Sequence, residues 1–260
     1  MDGNFIFEME NFIPKELCDD IIQRFENEPI KLQSTIKEPN HKVIIDLERR
    51  NSIQIYLDDM KDTAYIEHDL RNKFKDALDI YKKQFCEYFK RYGENPKFIN
   101  HVVFSSRPFE LTDFIVQRVK PDTHFRWHAD EHPHIAHTCI IYLNDLELSD
   151  GGATEFACGR KVQPKAGKLL LFPGGWSNVH RGCLVHKHKY MIVNNTRFKS
   201  QNVGFPFLTS GVEIQKTPIY LASNHESKRN QDYRNSEWGK DHESPKNKCV
   251  PPLPLRKGRI

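Results

Sequence analysis

Between residues 113 and 195 the chain is a succession of short β-branched and aromatic runs, parted by turn residues and with no helical pattern between them. The runs are Asp113 to Val119, His124 to His128, His137 to Leu143, Lys168 to Phe172 and Lys189 to Asn195. Gly151-Gly152 and Pro164-Lys-Ala-Gly167 mark tight turns. Many short strands at close spacing, without alternating helices, predict a sandwich or barrel of the jelly-roll type.

Upstream the periodicity is helical. Leu17, Cys18, Ile21, Ile22 and Phe25 recur at steps of three and four between Pro14 and Glu28, with Pro14 suited to a first helical position. From Glu67 to Tyr92 the series Leu70, Phe74, Leu78, Tyr81, Phe85, Phe89, Tyr92 forms one apolar stripe, and Gly93 stands where a helix would stop. Such a stripe needs a sheet to cover it, so these helices are expected to buttress the strands, with a dimerisation surface as the other reading. Between them, Lys42 to Asp46 and Ser52 to Tyr56 alternate as strands do. The expected fold is mainly β with flanking α: a double-stranded β-helix (jelly-roll) core buttressed by N-terminal helices. The expected divisions are residues 1–100 for the support region, 101–200 for the core and 201–260 for a C-terminal extension. That extension turns polar beyond Ser223, ends in Pro251-Pro-Leu-Pro254, and reads as mobile or wrapped on the surface.

The net charge of +4, from 39 basic and 35 acidic residues, is a mild excess that does not argue for nucleic acid. The N-terminus carries Asp2 and Glu8 and no apolar run fit for a signal peptide or a membrane span, so a soluble intracellular or cytoplasmic protein is expected. Cys18, Cys86, Cys139, Cys158, Cys183 and Cys249 form no CxxC pair, which leaves out a zinc knuckle and a dithiol redox motif; Cys18 and Cys139 read as buried packing residues.

Within the β region one constellation carries chemistry. Residues two apart on a strand share a face, so His128 and Asp130 can reach one metal ion, and His180 from another strand can complete a set of two imidazoles and one carboxylate. That set suits Fe(II) better than a thiolate set does, and it leaves coordination positions open for oxygen and for bidentate chelation by a keto acid. Lys189, nine residues after His180, can project from the next strand and pair with the far carboxylate of such an acid. His132, His134, His137, His186 and His188 are rival ligands by proximity, but read as surface or hydrogen-bonded residues. His132-Pro-His134 is like the HxH of metal-binding cupins, yet no glutamate follows at the usual spacing. Trp127 and Trp176 read equally as lining a substrate mouth or as packing, and Arg197 as a rim contact or a surface ion pair.

The segment from Gln117 to Arg197 resembles the core of the 2-oxoglutarate- and Fe(II)-dependent dioxygenases, in the prolyl 4-hydroxylase branch. The matching pieces are ordered: His128-Ala-Asp130, Ile140-Ile-Tyr-Leu-Asn144, Gly151-Gly-Ala-Thr-Glu-Phe156, Val162-Gln-Pro-Lys-Ala-Gly-Lys-Leu-Leu-Leu-Phe172, His180 and Lys189-Tyr190. Two departures stand out. Val119-Lys-Pro-Asp122 replaces a Tyr-x-x-Gly, and Phe125 occupies the place of a tyrosine three residues before the first histidine. The resemblance implies Fe(II) held by His128, Asp130 and His180, 2-oxoglutarate anchored by Lys189 and by the Tyr142 hydroxyl, and O2 as oxidant, with ascorbate as a reductant. It implies hydroxylation of an unactivated C–H bond with release of succinate and carbon dioxide, most readily on a prolyl residue of a peptide or protein. Alternatives are the same chemistry on a free amino acid or a nucleic-acid base, or a non-catalytic jelly-roll module that binds metal or a partner. Tyr142 also reads as a core strand aromatic, and Lys189 as a solvated lysine.

Overall fold

The computed structural model describes residues 3–37, 42–105, 109–130 and 135–198. The expected C-terminal extension, His132, His134 and Cys249 lie outside the described residues. In chain order the elements are β1 (Phe7–Met9), α1 (Lys15–Asn27), β2 (Leu32–Gln33), β3 (Ile36–Lys37), β4 (Val43–Ile44), β5 (Ser52–Tyr56), α2 (Ala64–Tyr88), α3 (Pro96–Asn100), β6 (Phe109–Leu111) and β7 (Ile115–Val119). There follow β8 (Thr123–His128), β9 (Ile135–Tyr142), β10 (Thr154–Phe156), β11 (Lys161–Val162), β12 (Leu169–Pro173), β13 (His180–Val185) and β14 (Lys189–Phe198).

The strands form a major antiparallel sheet in the order β1-β12-β9-β14-β7-β5-β2, with β6 also on β14, and a minor sheet in the order β11-β10-β13-β8. No closed barrel forms among the described residues. The core is a jelly-roll sandwich, as its strand pattern predicts.

Alternation explains where each face goes. On β9, Cys139 and Ile141 pack with Phe74, Leu78 and Tyr81 of α2 and with Cys18, Ile21 and Phe25 of α1, whereas Ile140 and Tyr142 turn the other way and meet Phe156, Val162 and Phe172. Helices therefore cover one face of the major sheet, and the other face looks into the cleft between the sheets. Leu169 to Phe172 is an unbroken apolar run because it is buried on both sides.

Two helix ends differ slightly from expectation. Pro14 caps the first helix rather than opening it, with an extended ψ of 154°. The long helix tightens into a 3-10 turn over Phe89–Tyr92 before Gly93, whose φ of 80° is the left-handed stop that glycine favours. The alternation over Lys42 to Asp46 gives only the two-residue β4, paired with β3, while Ser52–Tyr56 joins the major sheet beside β7.

Candidate metal centre

His128 ends β8 and stands opposite His180, which begins β13. The next aligned pair is Gly182 with Phe125, so Arg126 and Trp127 together face the single residue Arg181, and the strand bulges. This places Phe125 and His128 on one face although they are three residues apart. Their rings stack with centroids 3.8 Å apart, and the His180 ring lies 4.2 Å from that of His128. Trp127 is expelled to the outside, 46% exposed, beneath the Arg181 guanidinium at 4.8 Å. Trp176 is 82% exposed, so neither tryptophan is buried packing.

The backbone fixes which imidazole nitrogen faces inward. His128 Nδ1 donates to the Arg126 carbonyl at 2.8 Å and His180 Nδ1 to the Asn178 carbonyl at 3.0 Å. A carbonyl can only accept, so both rings carry hydrogen on Nδ1 and keep the Nε2 lone pair free. Each Nε2 lies 3.7 Å from an Asp130 oxygen, His128 from Oδ1 and His180 from Oδ2. At that distance the groups are not hydrogen-bonded to one another. One ligand atom from each of the three residues lies within 4.8 Å of the others, spacing that could hold one ion. Burial, reinforced by neighbouring His180, drives His128 down to about 4, so it is neutral at pH 7, as a ligand must be. Asp130 follows the end of β8, and its Oδ2 accepts the Thr138 hydroxyl at 2.6 Å; Asn195 Nδ2 donates to that hydroxyl in turn at 3.2 Å. The donor set and its outer hydrogen bonds fit Fe(II).

Lys189 projects from β14 into the cleft, is buried, and its Nζ donates to the Gly152 carbonyl at 2.7 Å and sits 5.2 Å from the centre of the Tyr142 ring. Burial lowers its pKa to about 8. The Tyr142 hydroxyl is fully buried and bonded to Thr154 Oγ1 at 2.7 Å; burial pushes its pKa up. The glycine turn makes this arrangement possible. Gly152 has φ 74°, and a Cβ there would meet Leu146 Cδ1 at 2.8 Å and Val185 Cγ2 at 2.9 Å.

The rival histidines within the described residues lie apart from the three. His137 faces the helices, where its Nδ1 meets Thr196 Oγ1 at 2.7 Å and its ring packs on Tyr81 and Phe109. His186 is exposed and pairs with Asp122, and His188 is exposed. Arg197 is exposed as well. Sequence reading missed Thr138 and Asn195, because their contacts join separate strands and leave no local pattern.

Residues 114–197 match the sequence model of the 2OG-Fe(II) oxygenase superfamily. The fold resembles the viral collagen prolyl hydroxylase of Paramecium bursaria Chlorella virus-1, solved as a 2OG complex, at 20% identity over 75% of this chain and 97% of that one, with a TM-score of 0.51. It also resembles a Trichoplax adhaerens prolyl hydroxylase in complex with a hypoxia inducible factor oxygen degradation domain peptide fragment, at 14% identity over 76% of this chain and 89% of that one, TM-score 0.55. A Pseudomonas putida prolyl-4-hydroxylase aligns at 16% identity over 75% of this chain and 94% of that one, TM-score 0.50. No curated protein matches the chain by sequence. Residues 114–197 thus carry the sequence pattern of the 2OG-Fe(II) oxygenases, a group of oxidoreductases, and the fold is prolyl hydroxylase-like. The matched family implies Fe(II), 2-oxoglutarate and O2. No helix among the described residues is long and apolar enough to cross a membrane.

Proposed function

We propose that the protein hydroxylates a prolyl residue of a peptide or protein, holding Fe(II) with His128, Asp130 and His180. The observation that carries the reading is the convergence of two lone-pair-bearing Nε2 atoms and one carboxylate, each oriented by a hydrogen bond from behind. Fe(II) held there with 2-oxoglutarate would supply the oxidation of an unactivated C–H bond by O2, coupled to conversion of 2-oxoglutarate to succinate and carbon dioxide.

The chain's own residues do the rest. Lys189 exchanges its bond to the Gly152 carbonyl for one to the far carboxylate of 2-oxoglutarate, a stronger charge-assisted pair. Tyr142, backed by Thr154, offers its hydroxyl to the same carboxylate. Ile140, Phe156 and Phe172 line the cleft behind them and exclude water, which strengthens these electrostatic contacts. Thr138 keeps the Asp130 carboxylate turned toward the two imidazoles. Prolyl specificity rests on the likeness in fold to three prolyl hydroxylases, and ascorbate serves as the external reductant.

The test is anaerobic loading with Fe(II) and 2-oxoglutarate, followed by oxygen and a panel of proline-containing peptides. The reading expects succinate release and a peptide mass gain of one oxygen, abolished by His128→Ala and Asp130→Ala. Oxidation of oligonucleotides or of free amino acids alone would contradict the prolyl assignment.

A further inference from the structure

Arg50 lies outside the matched superfamily segment, yet its side chain stands against the metal centre. Residues 49–52 cross from one sheet to the other. Arg50 bridges Phe125 of β8, and the Arg126 N–H donates to the Arg49 carbonyl at 3.0 Å, while Ser52, two residues on, pairs with Val119 of the major sheet. The Arg50 guanidinium lies 4.8 Å over the Phe125 ring, whose other neighbour is the His128 ring at 3.8 Å. Its charge acts on both His128 and Asp130.

The guanidinium has a single side-chain hydrogen bond among the described residues. Of its five N–H donors, Nη1 reaches the Thr35 carbonyl at 3.2 Å, and no carboxylate among the described residues lies within ion-pair distance of it. Such a half-buried guanidinium has donors left for a ligand, and arginine's planar fork matches a carboxylate in particular. 2-Oxoglutarate has its own cation. Lys189 aligns with Val119, and Val119 with Ser52, which puts the Lys189 backbone two strand spacings, about 10 Å, from that of Ser52, two residues beyond Arg50. The Lys189 ammonium turns toward Tyr142 and Gly152, at a different place in the cleft.

We propose that Arg50 is a specificity-determining residue that receives a carboxylate of the substrate, either the C-terminal carboxylate of a peptide ending in proline or the side chain of an acidic neighbour. The inference rests on the proposed reading of the site, since it assumes that Lys189 takes the cosubstrate.

The experiment is calorimetric titration, without oxygen, of the full chain loaded with Mn(II) and 2-oxoglutarate. Two probe pairs are used: acetyl-alanyl-proline against its amide, and acetyl-prolyl-aspartate amide against acetyl-prolyl-asparagine amide. At least one acidic member should bind about tenfold or more tighter than its neutral partner, and the pair that responds names the source of the carboxylate. Arg50→Gln should erase that preference, and Arg50→Lys, which keeps charge but loses the fork, should retain part of it. Equal binding within both pairs, no binding of either acidic probe, a preference that survives Arg50→Gln, or a loss confined to 2-oxoglutarate affinity would overturn the proposal. If Arg50→Gln fails to fold, Arg50→Lys decides: an undiminished preference contradicts the assignment. Failure of the catalytic reading appears separately, as absent succinate formation with Fe(II); the probe preference is read without turnover, and on metal-free protein if Mn(II) does not bind.

Discussion

Thr138 touches neither a predicted ligand nitrogen nor a cosubstrate anchor, yet its hydroxyl fixes the carboxylate on which both imidazoles converge. Removing that hydroxyl with the near-isosteric Thr138→Val should weaken Fe(II) or Mn(II) binding by about 10- to 100-fold while leaving the fold intact, as measured by metal titration and circular dichroism. Lys189 gives a pH test. Only its ammonium form pairs with a carboxylate, and in the free protein burial holds its pKa near 8. Below pH 8 the affinity for 2-oxoglutarate should be flat; above it, binding must take up a proton and should weaken by about tenfold per pH unit until the pKa of the bound state is passed. Lys189→Ala should lower the affinity and remove this pH dependence together. The grouping of His128, Asp130 and His180 could be anticipated from the sequence, although Asp130 lies past the end of β8 and is brought in by the turn rather than by strand alternation; Thr138, Asn195 and Arg50 could not, because each acts across strands distant in the chain.

Elements show the same division between local and paired information. The stripe of α2 was readable from its own spacing, and its depth can be tested: Phe74 is fully buried between Phe12 and Phe114. Phe74→Ala should destabilise the fold by about 3–5 kcal/mol in denaturant titration, without altering the metal ligands. The bulge in β8 could not be read, because it exists only in register with β13. It also gives the departure at Phe125 its meaning: the bulge puts the position three residues before His128 on the same face as that histidine, and there an apolar ring packs on both the Arg50 guanidinium and the His128 imidazole. Strands as short as β1 and β2 offer no periodicity, so their places in the major sheet were set by partners rather than by pattern.

For the whole molecule, two histidines couple folding to pH. Burial lowers His128 to about 4 and His137 to about 3, both below the ordinary imidazole value of 6.5. Between pH 6.5 and those values the unfolded chain binds more protons than the folded one, so the metal-free protein should lose stability as pH falls through this window and show no contribution from these groups above it, as measured by denaturant titration at several pH values. A metal on His128 should deepen the acid sensitivity, since protons and metal compete for Nε2. The central claim is that three side chains from two strand ends and a turn hold one ferrous ion. Anaerobic equilibrium binding of Fe(II) tests it most directly: one ion per chain is predicted for the native protein, and loss of that ion in each of His128→Ala, Asp130→Ala and His180→Ala with the fold retained; undiminished binding in any of the three would contradict the account.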